Sequence, residues 1–326
     1  MGYLTEIRRQ LAPELQSMNE LICDMLATRH EVINKVVTDY LVTKGKQIRP
    51  VVVMLSARIF GDINPAVIQS CAALEMLHNS SLIHDDVVDE TKLRRGNPTM
   101  NASWGNHIAV LVGDYFISNA LRAGLMTRNL KIIEAMASLG KELAVGEIDQ
   151  ACNVRYHQLD EQSYFSMIHK KTASLFIHCV QVGAEAVGAA PGQYEPLMKF
   201  GELLGLCFQI KDDIFDYSAD QERIGKPTGN DLREGKVTLP LIHALHAAPE
   251  EESAPMRRLL TEKEELSDAD IAALIEFARS HGGIDYAFHT MRRMQADAGK
   301  YLDVYPDSPW KTHFREIFEY IISRDN

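Results

Sequence analysis

Apolar residues recur with helical spacing along almost the whole chain. Ile271, Leu274, Ile275 and Ala278 fall at i, i+3, i+4 and i+7 and so share one face of a helix. Ser267 stands before this run as an N-cap, and Gly282 and Gly283 follow it as a stop. Comparable runs cover roughly 4–28, 65–91, 102–126, 129–150, 161–190, 195–220, 285–303 and 308–323. Val51–Val53 is β-branched but short and set in helical context, so no strand is expected. Turn residues at Gly61–Pro65, Gly96–Pro98, Pro191–Gly192, Gly225–Gly229 and Pro249–Pro255 mark short connections, as in a bundle. No linker divides the 326 residues, so the expectation is an all-α bundle forming one domain, residues 1–326.

The chain carries 34 Lys+Arg against 45 Asp+Glu, a net charge of −11. Such a field repels nucleic acid, and anionic ligands would need local basic residues or metal ions. The five cysteines (Cys23, Cys71, Cys152, Cys179 and Cys207) include no C-x-x-C pair, which disfavours a zinc site or a disulfide framework. The expected setting is the reducing cytoplasm. Met1–Arg9 lacks an apolar signal core, and Glu6 stands where a myristoylation signal has Ser or Thr. No uninterrupted apolar stretch of spanning length is expected. Ala173–Ala190 comes closest and is broken by His178, Gln181 and Glu185.

Two segments repeat one pattern. Asp85-Asp86-Val87-Val88-Asp89 and Asp212-Asp213-Ile214-Phe215-Asp216 both read D-D-x-x-D with apolar x. On a helix, i and i+4 lie about 40° apart, so Asp85 and Asp89 share a face, as do Asp212 and Asp216. Crowded carboxylates repel unless a cation compensates them. Magnesium suits, since it takes one or two carboxylates together with substrate phosphates. Two facing triads would cage several magnesium ions and a diphosphate. Solvated acidic helix ends are the plainer alternative, but they do not account for the apolar neighbours. Basic residues cluster by glycines, apolar breaks or the triads: Lys46 and Arg49, Arg94 and Arg95, Lys171, Lys226 and Lys236. Each is suited to phosphate, although any one alone reads as a surface charge.

These motifs resemble the trans-type polyprenyl synthases, or isoprenyl diphosphate synthases, over roughly Gly45 to Ile242. The matching pieces are G-K-x-x-R-P, H-x-x-S-L-I-H-D-D-x-x-D, R-R-G, G-D-Y, G-E-x-x-Q, K-T, F-Q-x-x-D-D-x-x-D and G-K-P-x-G-x-D-L-x-E-G-K-x-T-L-P. Lys44 departs from the glycine often found there. The resemblance is strongest to heptaprenyl and octaprenyl diphosphate synthases. It implies the isoprenoid synthase fold, an antiparallel bundle around a central cavity, and a homodimer. It also implies that Asp85, Asp86, Asp89, Asp212, Asp213 and Asp216 bind magnesium, three ions with substrate present. Arg94, Lys171, Thr172, Gln209, Lys226 and Lys236 would hold the allylic diphosphate, with Lys171 also catalytic. Lys46, Arg49, His78 and Arg95 would hold isopentenyl diphosphate.

The implied reaction is head-to-tail condensation of isopentenyl diphosphate with an allylic prenyl diphosphate. The allylic C–O bond ionises, the isopentenyl double bond attacks, and a proton is lost. In this family, aromatic residues just before the first triad stop chain growth, whereas small ones let the tail pass. Ser80 and Ser81 occupy those positions here, which implies a product longer than geranylgeranyl; close helix packing is the plainer reading of both. The alternatives are a shorter-chain farnesyl or geranylgeranyl synthase, a class I terpene cyclase, or a non-catalytic prenyl-binding subunit. An all-aspartate second triad disfavours a cyclase, and the intact ligand set disfavours a non-catalytic subunit. A lipid product also suggests transient membrane contact.

Overall fold

The computed structural model describes residues 2–42, 45–94, 96–217, 228–263 and 265–324. In chain order it runs α1 (Tyr3–Gln10), α2 (Ala12–Leu26), α3 (Glu31–Val42), α4 (Ile48–Phe60) and α5 (Pro65–Val88). A short hairpin follows, β1 (Leu93–Arg94) antiparallel to β2 (Asn97–Pro98), with Arg94 opposite Asn97. Then come α6 (Met100–Trp104), α7 (Asn106–Met126), α8 (Leu130–Arg155) and α9 (Glu161–Ile168). A π-helical turn, His169–Ala173, leads from α9 into α10 (Ser174–Ala186), and α11 (Pro191–Asp216) carries the second triad. The remainder is α12 (Asn230–Arg233), α13 (Leu239–Ala247), α14 (Glu250–Glu262), α15 (Asp268–Ser280), α16 (Gly283–Leu302) and α17 (Pro309–Ser323).

The all-α expectation holds, with two local corrections. The R-R-G connection is not a plain turn: Gly96, at φ +77°, lets the chain reverse into the hairpin. Pro249–Pro255 is not a connection either, because Pro249 caps α14 and Pro255 lies inside it. The acidic first turn, Glu250–Glu252, favours a helix N-terminus there. Residues 225–227 of the expected Gly225–Gly229 turn lie outside the described residues.

The helices sort into two compact units. The first comprises Met1–Lys141, Leu175–Gly201 and Tyr301–Ile317; the second comprises Glu142–Ser174, Glu202–Lys300 and Phe318–Asn326.

Close backbone approach organises the first unit. Val51 to Ala57 of α4 are wholly buried, and the Ser56 hydroxyl donates to the Val180 carbonyl of α10 at 2.7 Å. Gly183 makes that contact fit, since a Cβ there would lie 2.3 Å from the Val53 carbonyl oxygen. α5 starts at Asn64, whose side chain accepts from the N–H groups of Ala66 and Val67, with Pro65 at the first helical position. It packs on α7, which supplies the one described helix long and apolar enough to cross a membrane. Of its apolar window, 44% is buried inside the fold.

In the second unit, Leu241, Ala244 and Leu245 of α13 pack with Ile271, Leu274 and Ala278 of α15. The expected Ser267 cap is present as a capping box with Asp270, and Gly282 ends α15 at φ +71°.

Gly183→Ala should lower stability by about 1–3 kcal/mol, because the added methyl meets backbone that cannot yield. Gly140→Ala, whose methyl meets nothing within 4 Å, should be neutral or stabilise by up to about 1 kcal/mol. Urea denaturation midpoints of the two variants check both.

Candidate functional site

In the first unit, Asp85, Asp86 and Asp89 occupy the last turn of α5. Asp85 and Asp89 are half-buried, whereas Asp86 is buried. The hairpin carries Arg94 back onto Asp86: Nη2 lies 2.7 Å from Oδ1, and Nε donates to both carboxylate oxygens at 3.0 and 3.1 Å. Asn101 of α6 donates to the Asp86 carbonyl at 2.8 Å, which fixes this end of the helix. Arg94 thus stands beside the triad and holds one of its members.

The same unit holds Lys46, exposed, Arg49, half-buried with its guanidinium 6.0 Å from the Phe176 ring, and His78, buried on α5 two turns before Asp85. Arg95 lies outside the described residues. Ser80 and Ser81 differ in setting. Ser80 is buried against α7, its hydroxyl donating to the Gly113 carbonyl at 2.9 Å. Ser81 is half-buried and donates to the His78 carbonyl of its own helix. Gly113 of the G-D-Y motif lies against the His84 side chain, and a Cβ there would lie 2.1 Å from His84 Nε2.

In the second unit the second triad ends α11, and each aspartate has its own partners. Arg324 Nη2 lies 2.6 Å from Asp212 Oδ1. Asp213 is buried and accepts from the Tyr164 hydroxyl at 2.5 Å and from Gln209 Nε2 at 2.8 Å. Asp216 accepts from the N–H groups of Asn230 and Asp231 at 2.9 and 3.0 Å, at the start of α12. Burial pushes Asp213 up to about 7, with repulsion from Asp212 and Asp216 adding to it and the Tyr164 and Gln209 donors opposing. Burial also raises Asp216, and burial followed by the charges of Asp213 and Asp216 raises Asp231 well above the carboxylate range.

Lys171 and Thr172 sit in the π-helical turn between α9 and α10. Gly146 of α8 permits that turn, since a Cβ there would lie 2.6 Å from the Lys171 nitrogen. Glu147 and Gln150 then take the Lys171 ammonium at 2.7 and 3.1 Å. The G-E-x-x-Q motif is therefore the seat of Lys171. Thr172 donates to Gln209 Oε1 at 2.6 Å, which turns the Gln209 amide toward Asp213. Lys236 pairs with Glu234 at 2.5 Å. Lys226 lies outside the described residues. Lys171, Gln209, Asp213 and Lys236 line a cavity of about 260 Å³ together with apolar residues such as Leu159 and Leu260.

Sequence reasoning did not single out Tyr164, Arg324 or Asp231. Tyr164 and Arg324 are remote from the triad in sequence and carry no local signal. Asp231 lies inside the matched G-x-D-L motif and was legible there. Among the described residues, no three His, Cys, Asp or Glu side chains converge closely enough to hold a metal ion by themselves. The two triads do offer hard carboxylate oxygens, the donors magnesium shares with phosphates and water, so the residues fit that ion.

The Polyprenyl synthetase family model matches residues 30–278. The octaprenyl diphosphate synthase of Haemophilus influenzae is 35% identical over 310 residues, covering 94% of this chain and 93% of its own. A solved polyprenyl synthase from Caulobacter crescentus, complexed with calcium and isoprenyl diphosphate, superposes with a TM-score of 0.93 at 30% identity, over 100% of this chain and 99% of that one. A solved geranylgeranyl pyrophosphate synthase from Bacteroides thetaiotaomicron gives a TM-score of 0.85 at 34% identity, over 99% of each chain. The all-α architecture therefore matches the isoprenoid synthase fold.

The raised Asp213 carboxyl has a consequence for stability. Its folded value, about 7, exceeds the ordinary 3.8 of the unfolded chain, so the folded state binds the proton more tightly. Stability then falls as pH rises between these values and levels off above them. In metal-free protein, Asp213→Asn should raise the melting temperature at pH 8 and give no gain at pH 4. Thermal melts in chelator at the two pH values check this.

Proposed function

The chain belongs to the polyprenyl synthetase family, as a trans-type enzyme that condenses isopentenyl diphosphate with an allylic prenyl diphosphate, and from that premise we propose that its product is a linear polyprenyl diphosphate longer than geranylgeranyl. The observation that carries the assignment is the pair of aspartate triads, each closing a long helix and each served by its own basic and neutral donors. We assign Asp85, Asp86 and Asp89, and Asp212, Asp213 and Asp216, to binding magnesium. The calcium in the Caulobacter relative supports a divalent ion in that role.

When bound, magnesium supplies positive charge to the diphosphate that leaves the allylic carbon. Lys171, Thr172, Gln209 and Lys236 bind that diphosphate, joined by Arg94 and Lys226. Lys171 is held by Glu147 and Gln150, so its ammonium is positioned before substrate arrives. Preorganised donors of this kind stabilise the negative charge that develops as the C–O bond ionises. Lys46, Arg49, His78 and Arg95 hold the diphosphate of isopentenyl diphosphate and so orient its double bond. The proton lost after attack passes to the departing pyrophosphate.

Long-chain synthesis is supported by the octaprenyl and heptaprenyl relatives and by the small Ser81 one turn before the triad. The geranylgeranyl relative has the same fold, so length is decided by individual wall residues rather than by architecture. Ser80 is committed to the contact with Gly113, which makes Ser81 the better wall residue. We further propose that the chain acts as one catalytic domain, in the cytoplasm, as a homodimer. Val110, Leu111, Leu121 and Leu125 stand exposed along one side of α7 and suit a second copy.

The test is incubation of purified protein with magnesium, farnesyl diphosphate and labelled isopentenyl diphosphate, with products resolved by chain length. A ladder passing geranylgeranyl is expected; one that stops there would overturn the length assignment. Asp85→Ala should cut turnover by about two or more powers of ten; unchanged turnover would sink its role. Ser81→Phe should shorten the product with the first condensation intact, and an unaltered ladder would remove Ser81 from the wall.

A further inference from the structure

We propose that Arg324, after the last turn of α17, is a latch on Asp212. Without metal its guanidinium occupies the carboxylate, and it must leave before Asp212 can bind a divalent ion. The inference rests on the assignment of the second triad to magnesium.

The contact is built rather than incidental. The Arg324 side chain is 6% exposed. Nη2 donates to Asp212 Oδ1 at 2.6 Å and to the Phe208 carbonyl at 3.1 Å. The guanidinium carbon lies 4.2 Å from the Phe208 ring centre and 5.6 Å from that of Phe215. Two aromatic rings and one carbonyl of α11 therefore seat the cation against the first aspartate of the triad.

The partners of the triad differ in kind. Asp213 is held by a phenol and an amide, and Asp216 by backbone N–H groups. Neutral donors of this sort can stay in place while a carboxylate also ligates a metal. Asp212 is held by a full positive charge. A divalent ion on the same carboxylate would sit within a few ångströms of the guanidinium and compete with it for that carboxylate.

The seat is also incomplete. Arg324 Nε is buried and, among the described residues, finds no hydrogen-bond partner, so the closed state leaves one donor unsatisfied. The Arg324 N–H bonds the Tyr320 carbonyl at 2.9 Å, which continues the helix up to the latch residue. The Asp212 side chain is 41% exposed, so an incoming ion can reach it from solvent. An unsatisfied donor and an accessible carboxylate describe a contact made to open.

The test titrates magnesium, with inorganic pyrophosphate present, into wild-type protein, Arg324→Ala, Asp212→Asn and the double variant, followed by calorimetry. Arg324→Ala should tighten apparent magnesium binding about three- to tenfold, as expected from removing a competing half-exposed ion pair. In the Asp212→Asn background the same substitution should change nothing. Equal or weaker binding by Arg324→Ala would overturn the latch and leave the magnesium assignment standing. Equal tightening in the Asp212→Asn background would also overturn it, because it would show a through-space charge effect. No magnesium binding by any variant would overturn the assignment of the triad together with the latch. Should Arg324→Ala fail to fold, Arg324→Gln, which keeps a planar group over Phe208, provides the same comparison.

Discussion

Three carboxylates in the last turn of a helix are unfavourable twice over, because they repel one another and because they sit at the negative end of the helix dipole. This chain does it at the end of α5 and again at the end of α11. Much of the surrounding structure answers that one electrostatic problem. At α5 the β1–β2 hairpin returns Arg94 to Asp86, and α6 adds Asn101. At α11 the answer is divided among Arg324, Tyr164, Gln209 and the N–H groups of α12. The buried carboxyls are raised chiefly by burial, with neighbouring acidic charges adding to it.

The precision of the site comes from close backbone contacts that place side chains indirectly. Gly146 lets α8 reach the π-helical turn, and the turn sets Lys171 above Glu147 and Gln150 and Thr172 against Gln209. π-helical turns are costly and concentrate at functional sites, which fits its place here. A methyl group at Gly146 would meet the backbone of that turn and displace it.

The carboxylates are not equivalent. Within the second triad, the buried Asp213 is committed to neutral donors, whereas the half-exposed Asp212 is the one reachable from solvent. Within the first, Asp86 is buried under Arg94, while Asp85 and Asp89 remain half-buried on a shared face. In each triad the middle aspartate is buried and the outer two are half-buried.

The sequence alone determined the helical class, the helix faces and the two triads, because 3.6-residue periodicity and i, i+4 spacing are local properties. It likewise exposed the Ser267 N-cap and the basic motifs, whose meaning depends on a few neighbouring residues. It did not show that Ser80 and Ser81 have different fates, because which of two adjacent serines meets α7 depends on where α7 packs. It left G-E-x-x-Q as a motif without a task, because Lys171 lies 24 residues from Glu147 and meets it only when α8 and the π-helical turn come together. Tyr164 and Arg324 were invisible for the same reason, reaching the triad across 49 and 112 residues. Local spacing decides which atoms can share a helix face, whereas only the packed chain decides which charge meets which partner.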